Sequence, residues 1–128
     1  MGKGLLIIAH GSRVEETREA VYQVINKIKS FKIYKDVKAG FMEFNQPDIS
    51  TSIREFVEER IYDIIAVPMF LFEGNHVLHD IPEVFGKEKE KYPALKIKFA
   101  KSIGYDDRIV GPQAKENEVL LMRLQSLI

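Results

Sequence analysis

The sequence contains no cysteine, so disulfides and thiolate metal sites are both excluded. A metal ion would have to be bound by imidazole, carboxylate or backbone oxygen. The chain has no net charge, with 19 basic and 19 acidic residues, whereas a nucleic-acid-binding protein needs a basic excess. No apolar run is long enough to span a membrane, and no signal-peptide cleavage site follows the first one. We therefore expect a soluble, cytoplasmic protein with neither nucleic acid nor membrane among its partners.

Several well-known catalytic and nucleotide-binding motifs are also absent. The sequence has no P-loop, no G-x-G-x-x-G, no G-x-S-x-G and no zinc-protease helix motif, which leaves nucleotide-driven chemistry without support. The chain does have enough apolar residues for a core, 45% of its 128 residues, and it shows no linker, repeat or low-complexity segment. We expect a single domain over residues 1–128.

Four stretches have the length and pattern of β-strands. Residues 4–9 and 63–71 are predicted strands, and each is based on a continuous apolar run, the second one beginning at Ile64; such runs are typical of strands covered on both faces. Residues 36–43 and 95–101 alternate between apolar and polar side chains, as expected of strands near the edges of a sheet. Pro68 lacks the N–H that a central ladder needs, so we expect regular pairing of the third strand to stop around Val67.

Helices are predicted between the strands and after the last one. Apolar residues at helical spacing indicate a helix over residues 14–30, with Ser12 as its cap. Pro47 is well placed to open a second helix that runs to about residue 60. Pro82 should lie in the first turn of a third helix or restart it. A final helix, capped by Asp106-Asp107, would have an apolar face made of Val119, Leu120, Leu124 and Leu127.

Strands alternate with helices, which predicts an α/β fold with an open, mainly parallel four-stranded sheet and helices on both faces. With two buried strands and two edge strands, right-handed crossovers give the strand order 2-1-3-4. Ligands of such sheets bind beyond the carboxyl ends of the strands, at the point where the chain reverses direction across the sheet. His10 ends strand 1 and His76 follows strand 3. Because neighbouring strands are ~4.8 Å apart, we expect both imidazoles at one cleft.

Two histidines are the candidate functional groups. His10 precedes the amino terminus of a helix, where it can be a ligand, a base or a nucleophile, and where backbone amides favour an anion. The alternative is that His10 only bonds to loop backbone. His76 and His79 are three residues apart and share a face if they are helical. We favour His76 as the functional one, because His79 lies further from the strand end.

Carboxylates and apolar residues accompany these histidines. Glu43 ends strand 2, and two histidines with one carboxylate would make a divalent-metal site with open positions; a solvated strand-end residue is the alternative. Asp80 can orient a ligand histidine or, like Glu73, face solvent or cap a helix. We expect part of an apolar cluster at the ends of strands 2 and 3 to line the cleft, with core packing or a dimer surface as alternatives. The cluster consists of Phe41, Met42, Phe44, Met69, Phe70, Leu71 and Phe72.

The motifs around these residues resemble those of the short archaeal CbiX-type sirohydrochlorin chelatases, which belong to the class II chelatase family. They are His10-Gly11-Ser12-Arg13, then Gly40-Phe41-Met42-Glu43-Phe44 ahead of Pro47, then Val67-Pro68-Met69-Phe70-Leu71 with Gly74-x-His76 and Asp80-Ile81-Pro82. The motifs follow the family's order, and the resemblance covers nearly the whole chain.

The resemblance implies a chelatase-like fold, which corresponds to one flavodoxin-like half of the longer chelatases. It also implies a lyase activity. Such enzymes insert a divalent metal, usually Co²⁺, into sirohydrochlorin on the route to cobalamin, without ATP or an organic cofactor. His10 would be the proton acceptor and a metal ligand, and His76 the second ligand. Arg13 would meet substrate carboxylates. The segments implied to contact the substrate are Gln46 and Leu71, Phe72, Glu73, Gly74, Asn75 and His76.

The resemblance also implies a homodimer, in which the partner supplies what a second half supplies in longer chelatases. Close relatives insert Ni²⁺ or Fe²⁺, so the metal stays open. A non-catalytic tetrapyrrole or metal carrier with the same cleft is a second hypothesis. A phosphohistidine enzyme is a third and weaker one, because Ala9 precedes His10 where such enzymes tend to show Arg-His-Gly.

Overall fold

The computed structural model describes residues 2–72, 74–110 and 123–124, with the backbone alone for residues 75–78 and 110. The strands within this part of the chain are β1 (Gly4–Ala9), β2 (Asp36–Phe41), β3 (Asp63–Pro68) and β4 (Lys96–Phe99). Its helices are α1 (Glu15–Ser30), α2 (Ile49–Glu58), α3 (Asn75–Lys91) and α4 (Asp107–Val110). None of the described helices is both long and apolar enough to cross a membrane.

These strands form one parallel sheet in the order β2-β1-β3-β4, which confirms the predicted topology. β1 lies between β2 and β3, with Ile7 opposite Ala39 and Val67. Every residue of β1 is buried, whereas Lys96 and Lys98 of the edge strand β4 are exposed. The continuous and the alternating apolar patterns therefore predicted the central and edge positions correctly.

Helices cover both faces of the sheet, because successive side chains of each strand point to opposite sides. On one face, Ile8 shares a buried cluster with Phe56 of α2 and Ile81 of α3. On the other face, Ile7 shares a second buried cluster with Ile25 of α1. The predicted arrangement of helices on both faces is thereby confirmed.

Pro68 is the last residue of β3 and pairs with Ile8 of β1, so pairing ends next to Val67, as expected, and β3 is shorter than the predicted strand over residues 63–71. The direction of the backbone groups explains why a proline is tolerated at this position. Met69 N donates to Ile8 O at 2.7 Å, while Ala66 O accepts a hydrogen bond from the β4 side at 2.8 Å. Successive residues alternate, so the proline nitrogen faces the β4 side, where the ladder has already ended at Ala66. The missing N–H therefore removes no bond to β1.

Helix α3 runs continuously through Pro82, so the expectation that this proline lies in the first turn or restarts the helix is wrong. A proline inside a helix costs about 3 kcal/mol, because it lacks the N–H and its ring clashes with the preceding turn. Pro82 is exposed, while Ile81 and Phe85 beside it are only 0% and 5% exposed. Burial of this apolar face offsets the cost of the proline and keeps the helix intact.

Two further strands, β2 and β4, and one helix are also shorter than their sequence patterns indicated. β2 ends at Phe41, two residues before the expected end, and β4 covers only the middle of residues 95–101. The N-cap of α2 is Asp48, whose carboxylate accepts a hydrogen bond from Thr51 N at 2.8 Å. Pro47 therefore precedes the cap and does not open the helix, which ends at Glu58.

Two expectations, one about the start of the first helix and one about the apolar face of the last, also need correction. The N-cap of α1 is Val14, not Ser12; the Ser12 hydroxyl accepts a hydrogen bond from Val14 N at 3.0 Å before the helix begins. Leu124 is helical but 54% exposed, so it is not buried on the apolar face predicted for the last helix. The other members of that face, Val119, Leu120 and Leu127, lie outside the described residues.

Candidate active site

The carboxyl ends of the strands meet at one edge of the sheet, where backbone hydrogen bonds join the loops that follow them. Between the loops after β1 and β2, Glu43 N donates to His10 O at 3.0 Å. Between the segments after β3 and β4, Ile103 N donates to Phe70 O at 3.0 Å. This edge therefore gathers residues from all four strand ends, as expected for a switch-point site.

His10 follows β1 directly and is exposed to solvent. Its imidazole lies against the ring of Phe70, with ring centroids 4.3 Å apart and an angle of 34° between the planes. Phe70 is 9% exposed and belongs to the buried cluster between the sheet and α2–α3. An accessible imidazole on a fixed apolar support can accept a proton or bind a divalent ion. The strand order thus brings the end of β1 to the end of β3, as predicted.

Gly11 permits the close approach of the loops after β1 and β2. Its φ is +91°, and a Cβ at this position would lie 1.8 Å from Glu43 O. Only glycine tolerates both conditions. The next residue, Ser12, donates its N–H to Asn45 Oδ1 at 2.8 Å. Sequence reasoning did not predict the contact between Asn45 and Ser12. The glycine that follows His10 is the local signal in the sequence that the two loops approach each other closely.

Phe44 is displayed at the surface by a tight turn. Its φ is +67°, and Asn45 N donates to Glu43 O at 2.8 Å across it, which are features of a classic γ-turn. The Phe44 ring is 57% exposed, and the Arg13 guanidinium carbon lies 4.8 Å from the ring centroid. This distance is typical of a cation–π contact. A flat aromatic face and a cation therefore stand together beside the loop of His10.

The segment after β3 carries the apolar run beyond the sheet. Leu71 and Phe72 are 44% and 79% exposed. Gly74 is the exposed N-cap of α3, with extended backbone. Two apolar side chains therefore face solvent at the same edge as His10. Outside the described part of the structure lie Glu73 and the side chains of Asn75 and His76.

The other candidate residues surround this edge without being gathered at one point. Glu43 is exposed and touches the His10 loop through its backbone. Gln46 is exposed, and its Oε1 accepts a hydrogen bond from Asp48 N at 3.2 Å. His79 is exposed on α3. Among the side chains that the structure describes, which do not include His76, no three histidines or carboxylates are close enough to hold a metal ion.

A pocket of about 220 Å³ opens beside this edge, between the end of β2, the start of α2 and α3. Sequence reasoning did not predict it. Its walls combine apolar residues such as Phe41 and Ile81 with two carboxyl groups, those of Asp48 and Asp80. The hydrogen bond from Thr51 N–H lowers the pKa of the Asp48 carboxyl below its usual value. The pocket is therefore lined by at least one group that stays ionised at neutral pH.

The profile of the CbiX family matches residues 4–115, a range that includes the four described strands and the described loops at this edge. The chain belongs to the CbiX family. A sirohydrochlorin cobaltochelatase of Methanococcus aeolicus is 43% identical over 84 residues, which are 66% of this chain and 59% of that protein. A sirohydrochlorin cobaltochelatase of Sulfurisphaera tokodaii is 32% identical over 125 residues, which are 98% of this chain and 93% of that protein. The match thus spans about three fifths of the first relative and nearly all of the second.

A solved structure supports the same membership. The sirohydrochlorin chelatase SirB from Bacillus subtilis subspecies spizizenii, in complex with cobalt, matches with a TM-score of 0.85 and 26% sequence identity. The match covers 99% of this chain and 51% of that chain. The chelatase-like fold of this CbiX-family chain is thereby confirmed, and it corresponds to about half of the longer protein.

Proposed function

We propose that this protein inserts a divalent metal ion into sirohydrochlorin without ATP, and that Co²⁺ is its main metal. The observation that carries the proposal is the position of His10, an exposed imidazole at the end of the central strand, supported by Phe70. Exposed apolar side chains, those of Phe44, Leu71 and Phe72, accompany it at the same edge. Membership of the CbiX family and the names of its relatives support the choice of substrate and metal.

The chemistry requires a base and a weak metal ligand. Insertion exchanges two pyrrole N–H protons for one divalent cation, and the cation must also give up bound water. We assign His10 the roles of proton acceptor and metal ligand, and His76 that of second ligand. Histidine suits both tasks, because it binds divalent ions through nitrogen and exchanges protons near neutral pH. Each proton that His10 accepts is released to solvent, so the charge balances.

The substrate is a flat ring with carboxylate side chains, and the edge of the sheet offers partners for both features. The ring is proposed to pack on the apolar side chains that follow β3, within residues 71–76, and to contact Gln46. Arg13 and the helix amino termini are proposed to bind the carboxylates, because a guanidinium forms paired, charge-assisted hydrogen bonds with them. Glu43 is proposed to attract the incoming cation, since it is exposed next to the His10 loop.

We also propose that the protein is a cytoplasmic, single-domain chelatase that works as a homodimer. The exposed apolar residues at this edge support an interface, because Phe72 and Tyr105 are 79% and 76% exposed and Ile103 is 49% exposed. Sedimentation equilibrium tests the dimer, and a monomer at all concentrations that support activity would contradict it. Cell fractionation tests the location.

The metal-insertion reaction tests the central proposal. Protein, sirohydrochlorin and Co²⁺ are mixed without ATP, and the visible absorption of the ring is followed, with Ni²⁺ and Fe²⁺ in parallel. We expect several turnovers per protein molecule and a loss of about 10²-fold or more in His10→Ala, as is typical when a general base is removed. His79→Ala is the matched control, and we expect it to retain activity.

Three outcomes would contradict parts of this assignment. A His10→Ala protein that inserts metal at the wild-type rate would remove His10 from the mechanism. Loss of activity in His79→Ala but not in His76→Ala would reverse the choice of the second ligand. Tight binding of the ring with at most one turnover would indicate a carrier instead of an enzyme.

A further inference from the structure

The side chain of Asn45 joins the loop after β2 to the loop that carries His10. Its Oδ1 accepts a hydrogen bond from Ser12 N at 2.8 Å, and the contact is partly buried. The two residues are 33 positions apart in the sequence. Because Ser12 lies two residues after His10, this bond acts close to the candidate imidazole without touching it.

A rare turn brings Asn45 to this position. Phe44 has a φ of +67°, and Asn45 N donates to Glu43 O at 2.8 Å across it. Residues other than glycine seldom adopt such a conformation, and where they do the surrounding contacts enforce it, often at functional sites. The turn is therefore a specific feature of this loop and not an arbitrary connection between β2 and α2.

The backbone of the His10 loop is held on both sides of Gly11. Before the glycine, His10 O accepts a hydrogen bond from Glu43 N at 3.0 Å. After it, Ser12 N donates to Asn45. Gly11 itself lies so close to the loop after β2 that a Cβ would fall 1.8 Å from Glu43 O and 3.3 Å from Asn45 Oδ1. These contacts leave the peptide groups on either side of Gly11 little freedom to rotate.

We infer that Asn45 is a positioning residue that fixes the His10 imidazole through the Ser12 amide. This inference rests on the proposed function, in which His10 accepts a proton and binds the incoming ion. His10 is exposed, and its ring has Phe70 on one side. The orientation of the imidazole therefore depends on the backbone that carries it. Without an acceptor at position 45, the Ser12 N–H loses its partner and the loop can rotate about Gly11.

The test compares three variants with the wild-type protein. Asn45→Ala removes the acceptor, Asn45→Asp keeps an acceptor oxygen at the same distance along the side chain, and Asn26→Ala changes an exposed asparagine of α1 as a matched control. We expect kcat for metal insertion to fall by about 10- to 100-fold in Asn45→Ala, as small misplacements of catalytic groups do, while KM for sirohydrochlorin changes little. Asn45→Asp should restore most of kcat, and Asn26→Ala should match wild type.

A second measurement does not depend on turnover. Amide hydrogen exchange of Ser12, followed by NMR, should be faster than in wild type in Asn45→Ala and close to wild type in Asn45→Asp. Calorimetric titration with Co²⁺ alone should show weaker binding in Asn45→Ala. If Asn45→Ala does not fold, Asn45→Gln, which moves the amide by one methylene group, takes its place.

The results separate this inference from the proposed function. Wild-type kcat in Asn45→Ala, or equal losses in Asn45→Ala and Asn45→Asp, would overturn the role of Asn45 while leaving the chelatase proposal intact. If the wild-type protein itself inserts no metal, the proposed function fails. The inference is then decided by the other two measurements, and unchanged Ser12 exchange and unchanged Co²⁺ binding in Asn45→Ala would overturn it.

Discussion

The imidazole of His10 rests on the ring of Phe70, with centroids 4.3 Å apart, although only one of the two residues is exposed. Phe70 is 9% exposed and packs into the cluster that joins the sheet to α2 and α3. The candidate base therefore stands at the boundary between core and solvent. Any change in the packing of Phe70 is transmitted directly to the imidazole, so Phe70 is expected to affect rate as well as stability.

Phe70→Leu should slow metal insertion by up to about tenfold, because an aromatic pair contributes about 0.5–1.5 kcal/mol beyond its burial. The loss of stability should be only about 1 kcal/mol, since leucine fills most of the same volume. Phe85→Leu is the control, because Phe85 is 5% exposed in the same cluster and packs edge-on against Phe99. Steady-state rates and urea unfolding measure both effects. Equal rates in the two variants would show that the contact with Phe70 does not position His10.

Gly11 and Gly86 make a second matched pair, which tests whether the His10 loop requires glycine. Gly11 has a φ of +91°, and a Cβ there would lie 1.8 Å from Glu43 O, whereas a Cβ at Gly86 of α3 would meet nothing within 4 Å. Gly11→Ala should destabilise the protein by about 2–3 kcal/mol and abolish metal insertion, because the His10 loop must move. Gly86→Ala should stabilise by up to about 1 kcal/mol. Urea unfolding of both variants measures the difference, and a wild-type midpoint in Gly11→Ala would contradict the described loop geometry.

The edge of the sheet at which His10 lies was predictable from sequence. Two continuous apolar runs mark β1 and β3 as central strands, and the carboxyl ends of parallel strands meet at one edge. The contact of Asn45 with Ser12 was not predictable in the same way. It depends on a positive φ at Phe44, a conformation that phenylalanine rarely adopts and that no local pattern indicates.

The position of Pro68 in the ladder and the exposure of Leu124 both lie beyond what a periodic pattern indicates. A periodic pattern shows which side of a strand or helix is apolar, but it does not show what lies opposite that side. Pro68 is tolerated because the β4 ladder ends at Ala66, which depends on the length of another strand. Leu124 is 54% exposed although the sequence pattern placed it on an apolar face. What lies opposite an apolar face depends on the tertiary fold, which a single sequence does not specify.

The ion pair between Arg54 of α2 and Glu88 of α3 should contribute measurably to stability. The side chain of Glu88 is 2% exposed and lies 3.2 Å from Arg54 Nε and 3.5 Å from Lys91 Nζ. Among the described side chains, Arg54→Ala leaves the buried carboxylate only the half-exposed Lys91 as an ion-pair partner, so we expect a loss of about 1–2 kcal/mol in urea unfolding. Arg18→Ala is the control, because its pair with Glu15 is exposed on both sides and should contribute about 0.5 kcal/mol at most.

A double-mutant cycle isolates the pair from other effects. In a Glu88→Leu background, Arg54→Ala should cost less than in wild type, with a coupling energy of about 1 kcal/mol. Because the pair links α2 to the helix that begins at Asn75, loss of the pair should also lower the stability of α3 against local opening. Equal costs of Arg54→Ala in both backgrounds would show that the bond contributes nothing beyond packing.

The cap of α2 should make a pH-dependent contribution to stability. Asp48 accepts a hydrogen bond from Thr51 N at 2.8 Å, and this bond holds the pKa of the Asp48 carboxyl below its usual value of 3.8. A carboxyl with a lowered folded-state pKa stabilises the protein fully above its unfolded-state pKa, and this contribution is lost as the pH falls through the folded-state value. At neutral pH, Asp48→Ala should therefore cost about 1 kcal/mol, the usual value of an N-cap.

In acid, the free energy of unfolding of Asp48→Ala should differ less from that of wild type, because the wild-type carboxyl is then protonated and caps the helix less well. Asp48→Asn is the control, since an asparagine caps without titrating. The difference in stability between Asp48→Asn and Asp48→Ala should therefore receive no pH dependence from position 48. Urea unfolding over a pH series, from neutral pH to well below the usual pKa of 3.8, measures the three proteins. A gap between wild type and Asp48→Ala that stays constant over this range would mean that ionisation of Asp48 plays no part in capping α2.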